Sequence, residues 1–336
     1  MKYIALSLPT NNPNDRRYLV SAGMGYDGVV LLELPNNEIC TGSLLWSGKH
    51  ILTAAHCLRD RDAFNSFFFE PNETTVTVVF RLTLGTVRRE VKEIFLHPQW
   101  NGSENGDSDI AILELEEVAP ATAERYSIYR RSDEVGKIFT RVGYGVGGTG
   151  QEGERRGDRA IQKRFGGNRY DTLREALERP EIHTRLNVGK QLVYDFDSGL
   201  RSHDALGREY GIHGLGIIGY DTGTSRGFSG NWQLEIGRQY EAGSTSGDSG
   251  SPAFIEGKIA GISSSGRRST LPRVDVTSNR DSSFGEIFFD TRVSAYADFI
   301  DGIVNQSNEE IFLLRSGLEL VLLGLMLGAI AAKFFK

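Results

Sequence analysis

Short apolar and β-branched runs separated by turn residues recur along most of the chain, and this spacing constrains the fold more than any other feature. Val29–Leu34 is followed by a Pro35-Asn36-Asn37 turn and a second apolar run from Ile39 to Trp46, the pattern of a hairpin. Thr74–Phe80, Arg81–Leu84, Val91–Leu96 and Ile110–Leu115 continue it. Further runs fall at Leu192–Tyr194, Leu215–Ile218, Phe254–Ile255, Ile259–Ile262 and Ile287–Phe289. Short strands at such intervals predict an all-β sandwich or barrel. The 40 glycines against 9 prolines fit a turn-rich β chain, because aromatic and β-branched residues are also plentiful. One helix is expected near the end, where Val293, Tyr296, Ala297, Ile300 and Val304 fall at helical spacing.

At 336 residues the chain can bury a sizeable core, as one large domain or two smaller ones. A net charge of −6 argues against a general nucleic-acid binder, which would carry a basic excess. Residues 9–17 read as a polar arm, and 146–169, dense in Gly, Arg and Glu, as a long surface loop. After a polar linker at 305–310, residues 311–336 form the most apolar part of the chain. They are long enough for a membrane anchor, with terminal lysines suited to a cytoplasmic end. The competing reading is a helix packed on the protein or on a partner. The apolar run at the N-terminus is too short for a secretory signal. Either export does not use that route, or the chain begins within a longer precursor. Cys40 and Cys57 are the only cysteines; by count they are equally one disulfide or two buried thiols. Two cysteines do not make a structural zinc site, and no metal or cofactor is expected.

Gly247-Asp248-Ser249-Gly250-Ser251-Pro252 is a tight turn in which a serine can attack a carbonyl while neighbouring N–H groups hold the oxyanion. Such a serine needs a base, and histidine is the usual one near neutral pH. His56, in Thr53-Ala54-Ala55-His56-Cys57, stands in a segment that resembles the active-site histidine motif of the chymotrypsin/trypsin family of serine proteases. Thr41-Gly42-Ser43-Leu44-Leu45 is similar to that family's Cys-Gly-Gly-Ser-Leu run, with Thr41 in place of the first glycine. Leu96-His97-Pro98 and Asp109-Ile110-Ala111-Ile112-Leu113 resemble the segments around the catalytic acid. Gly247–Pro252 resembles the nucleophile motif, with Ser251 where glycine is usual.

The resemblance spans roughly Tyr26 to Val304. It implies two six-stranded antiparallel β-barrels with the site between them, followed by a C-terminal helix and a hydrophobic tail. It also implies a serine endopeptidase acting on protein or peptide substrates through an acyl-enzyme. His56 is then the base, Asp109 its orienting acid and Ser249 the nucleophile. The N–H groups of Gly247 and Ser249 form the oxyanion hole, and Cys40 pairs with Cys57. That disulfide implies an extracytoplasmic compartment. The expected organisation is an arm or propeptide over 1–17, a protease domain over 18–304 with an insertion within 146–241, the linker, and the tail at 311–336. The alternative is a catalytically silent, membrane-tethered binding module on the same fold.

Gly243 stands where an acid often selects lysine or arginine, so a basic preference has no support there. Ser264-Ser265-Gly266 resembles the substrate-binding strand. Phe288 and Phe289 fall near the far wall of the pocket, which favours small or apolar side chains. No Ile-Val-Gly-Gly-like start is present. Cleavage after Arg17 would expose Tyr18, whose amine is then the expected partner of Asp248. Asp107 and the arginines and lysines of 154–169 read as solvated, His97 as structural, and His183, His203 and His213 as loop residues. Asp195-Phe196-Asp197, with Asp204, has the flavour of a calcium loop but not the spacing of an EF-hand.

Overall fold

The structure is a computed structural model that describes residues 6–8, 18–59, 76–103, 106–154, 161–178, 189–198, 200–212 and 242–305. The arm except 6–8, the tail, His183, His213 and the run at 215–218 lie outside the described residues. The chain divides into two compact units, 1–296 and 297–336; within the second, residues 297–305 are helical. No helix among the described residues is long and apolar enough to cross a membrane.

In the first unit, six strands close a barrel. They are β2 (Val29–Glu33), β3 (Ile39–Leu44), β4 (His50–Thr53), β5 (Thr77–Leu82), β6 (Gly85–Leu96) and β7 (Ala111–Leu115), in the order β2-β3-β4-β7-β6-β5. The expected hairpin is β2–β3, with Leu31 opposite Thr41 and Leu32 opposite Cys40. β6 is long and alternates between exposed and half-buried positions, so one face meets water. A bulge between Val91 and Glu93 bends it where it turns from one neighbour to the next. Both faces of its strands bury apolar side chains: Val30, Leu32 and Phe80 on one, Leu52 and Ile112 on the other, all fully buried.

The second sheet departs from the expected closed six-stranded ladder. Seven strands run in the order β11-β8-β14-β15-β16-β13-β12. They are β8 (Ile138–Gly143), β11 (Arg164–Arg169), β12 (Thr172–Leu173), β13 (Gln191–Asp195), β14 (Pro252–Ile255), β15 (Lys258–Arg268) and β16 (Glu286–Arg292). The two ends of that order are consecutive in sequence, joined only by Tyr170 and Asp171. Tyr170 N–H bonds to the Lys137 carbonyl beside β8, while Asp171 N–H bonds to Val193 in β13. β11 and β12 are thus two arms of one bent strand. The sheet curls round to this corner, and the ladder breaks there because successive N–H groups serve opposite neighbours.

The surface-loop reading of 146–169 is also corrected. Residues 147–149 (β9) and 153–154 (β10) form a small sheet with β1 (Leu6–Leu8), and β11 belongs to the second, seven-stranded sheet. β11 reads Arg-Phe-Gly-Gly-Asn-Arg, without an apolar period, and is buried by its pairing to β8. The helices are short: α1 (Arg174–Glu178) and α2 (Ala205–Tyr210).

Candidate active site

His56 sits in a 3-10 turn (Ala55–Leu58) directly after β4, tied to β3 by the Cys40–Cys57 disulfide. Asp109 is fully buried just before β7. One of its oxygens accepts from His56 Nδ1 at 2.7 Å and from Ser264 Oγ at 2.5 Å; the other accepts from the His56 backbone N–H at 2.8 Å. Three donors therefore offset the burial of this carboxylate. With Nδ1 donating, Nε2 is the nitrogen left to accept a proton.

The approach to Asp109 is strained. Ser108 has φ +67°, a left-handed conformation uncommon outside glycine. Tyr296 holds it: its Oη accepts from Ser108 N at 2.8 Å and donates to Ser108 Oγ at 3.2 Å. Thr291 Oγ1 donates to the Asp109 carbonyl at 2.8 Å. Ser264 reaches Asp109 because it is the extra residue of a bulge. Ser263 pairs with Asp290 and Ser265 with Phe289, so Ser264 is freed from the ladder and re-aimed. The sequence reading assigned Ser264 to substrate alone.

The Gly247–Pro252 turn is bound to the first barrel. Thr41 N–H donates to the Ser249 carbonyl at 2.9 Å, and Thr41 Oγ1 donates to the Gly247 carbonyl at 2.9 Å. Thr41 Oγ1 in turn accepts from Tyr144 N at 3.0 Å. This is a physical reason for threonine at 41, which spacing alone does not reveal. Gly250, at φ +80°, is required: a Cβ there would lie 2.1 Å from Thr53 Oγ1 and 2.4 Å from the Thr41 carbonyl.

Backbone amides 245 to 251 can be accounted for one by one. Thr245 donates to Asp248, Ser246 to Glu154, Asp248 to the Thr245 carbonyl, Gly250 to Ser263 and Ser251 to Asp248. Of these seven, the Gly247 and Ser249 N–H groups are the two with no acceptor among the described residues, and both residues line the same cleft as His56. The cleft has a volume of about 460 Å³. No hydrogen bond joins Ser249 Oγ to the imidazole here.

Burial pushes the Asp248 carboxyl up, against hydrogen bonds from Thr245 N–H, Gly145 N–H and Thr245 Oγ1 that favour its charged form. Gly143 and Gly145 make room for it: a Cβ on either would come within 2.4 Å of a carboxylate oxygen. The group expected to meet a freed amine is thus already held by internal donors. Tyr18 itself is buried against Phe165, and Leu19 bridges to Arg164 of β11.

Ser264, Ser265 and Gly266 line the cleft. Gly243 packs under aromatic rings; a Cβ there would lie 2.9 Å from Phe196 and 3.2 Å from Phe288. Phe288 lines the cleft, whereas Phe289 packs with Val193, Leu206 and Ile287 on the opposite face, as successive strand residues must. Asp107 is exposed. His97 stacks edge-on to Tyr296, and His203 Nδ1 bonds Ser198 Oγ. Asp195, Asp197 and Asp204 do converge, all buried, with carboxylate oxygens within 4.8 Å of one another. Asp195 accepts from Leu206 N–H and Asp204 caps α2 through Gly207 N–H.

Residues 16–162 match the protein-family model described as Trypsin, a stretch that contains His56 and Asp109. Over that stretch the chain resembles the trypsin family. Among solved structures, the chain is similar to neuropsin, a serine protease expressed in the limbic system of mouse brain. The TM-score is 0.50 at 14% identity, covering 83% of this chain and 95% of that one. At that identity the likeness concerns the fold. No curated protein matches.

Proposed function

We propose that the chain is a serine endopeptidase that hydrolyses peptide bonds through an acyl-enzyme. The carrying observation is the pair of unspent amides, Gly247 and Ser249, facing the cleft of a histidine whose Nδ1 is fixed by a buried aspartate. Ser249 Oγ bonds to the scissile carbonyl carbon while its proton passes to His56 Nε2. The oxyanion is held by the two N–H groups. Collapse breaks the C–N bond, and His56 protonates the leaving amine. Water then repeats the sequence and restores Ser249. Asp109 stays ionised and stabilises the imidazolium.

The Cys40–Cys57 disulfide supports an oxidising, extracytoplasmic setting. Residues 311–336 are proposed as a tether to a membrane, which fractionation with and without them tests. The test of activity is peptide hydrolysis by wild type and Ser249→Ala at equal folded concentration. The variant is expected to lose about 10⁴- to 10⁶-fold in kcat. Equal turnover by the two proteins would overturn the assignment.

A further inference from the structure

The cleft beside Ser249 is lined by hydroxyls and carboxyls. Ser244, Ser263 and Ser282 contribute hydroxyls; Glu38, Glu154 and Glu286 stand against one guanidinium, Arg280. Glu286 and Phe288 alternate along β16 onto the same face, and Phe288 packs beside Gly243 and Gly266. The pocket therefore offers an aromatic wall with a carboxyl next to it.

Glu286 is nearly fully buried, at 1% exposure, and its carboxyl is fixed at one end only. Oε1 accepts from Asp281 N–H at 2.7 Å and Ser282 N–H at 2.9 Å, while Oε2 takes no hydrogen bond among the described residues. Among the described residues no cation pairs with it. Arg268, opposite Glu286 across the β15–β16 ladder, pairs with Asp275 at 2.8 Å. Arg280 donates to the Gly266 carbonyl. The other charges close to it, Asp275 and Asp281, are acidic. Asp195, in register with Ile287, belongs to the opposite face.

We infer that Glu286 makes this a subsite for cationic side chains, lysine or arginine, with the aliphatic stem on Phe288 and the charged head on Oε2. This revises the small or apolar preference suggested by Gly243 and Phe288, and it rests on the peptidase reading above. The charge usually sought at position 243 has no room there, and Glu286 supplies it from the neighbouring strand. A long basic side chain suits both parts of the pocket, since its stem is apolar and its head is not. Burial, with Asp275 and Asp281, pushes Glu286 up to about 8, so the empty pocket is neutral at pH 7. An entering ammonium favours the carboxylate, and the displaced proton leaves to water.

The test is kcat/KM on peptides that differ only in the residue before the scissile bond (Lys, Arg, Leu or Ala), with wild type and Glu286→Gln. Glutamine keeps the acceptor for Asp281 and Ser282 and removes the charge. Wild type is expected to favour Lys and Arg, and the variant to lose roughly 10- to 100-fold on those alone. The wild-type preference for Lys over Leu should also grow between pH 6 and 9, a readout that needs no variant. Cleavage that favours Leu or Ala, or an equal loss on all four peptides, overturns the subsite and leaves the peptidase standing. Failure of wild type to cleave any peptide, with no labelling of Ser249 by a fluorophosphonate, removes the peptidase reading and this one together.

Discussion

The two barrels hold their interiors in different ways. The first is closed and buries apolar side chains on both faces of its strands, Val30 and Leu32 on one and Leu52 and Ile112 on the other. The second curls to a corner at Tyr170 and Asp171 and buries charge. Arg141 pairs with Asp290, stacks near Phe139 and Tyr194, and donates to the Ser251 carbonyl and hydroxyl. Tyr170 Oη donates to the same Asp290 carboxylate. Burial works against the Arg141 charge, but Asp290 and the two tyrosines outweigh it and keep the guanidinium protonated. Arg292 and Glu134 form a second buried pair. The first barrel thus holds His56 by apolar packing and a disulfide, while Asp109 is also tied to the second sheet by Ser264 and Thr291. The second holds the Gly247–Pro252 turn by directional bonds, which specify orientation but are costly when half-removed.

This contrast is open to test, from the largest effect to the smallest. In the first barrel, Asp109→Asn should leave the fold intact and lower kcat by about 10⁴, because the amide presents the wrong hydrogen-bond partner to Nδ1. Steady-state kinetics at matched melting temperature would show it. In the second, Arg141→Met should cost about 3–5 kcal/mol by leaving Asp290 charged and unpaired. Adding Asp290→Leu should restore much of that loss in urea unfolding. If the double variant is no better than the single one, the pair is not a coupled unit.

Next is pH. Glu286 is raised from 4.5 to about 8 in the folded protein, so folding favours its protonated form. Its contribution is full below about pH 4.5 and is lost as pH rises toward 8, at about 1.4 kcal/mol per unit within that window. Glu286→Gln should flatten this slope in a melting series. The smallest effect is expected at the seam. Thr41→Val removes the bond to the Gly247 carbonyl and should cost about 1 kcal/mol, with a fall in kcat rather than a rise in KM.

Local patterns made the first barrel legible. Alternation and a turn marked β2 and β3, an apolar run marked β7, and a short motif marked His56. What escaped depends on contacts across sequence. β11 has no apolar period and is a strand only because β8 pairs with it. Ser264 turns to Asp109 through a bulge, and Thr41 reaches Gly247 across the seam between barrels. Glu286 reads in sequence as one more polar residue beside Gly285. Its importance comes from the strand that places it beside Phe288 in the cleft.

On the proposed mechanism the cleft activates Ser249, although its hydroxyl is not bonded to His56 in this state. A fluorophosphonate reacted with the folded protein, followed by peptide mapping, tests that most directly. A single adduct on Ser249 is expected, forming faster as His56 loses its proton and absent in His56→Ala. A correctly folded protein that takes no label, or takes it on another serine, would contradict it.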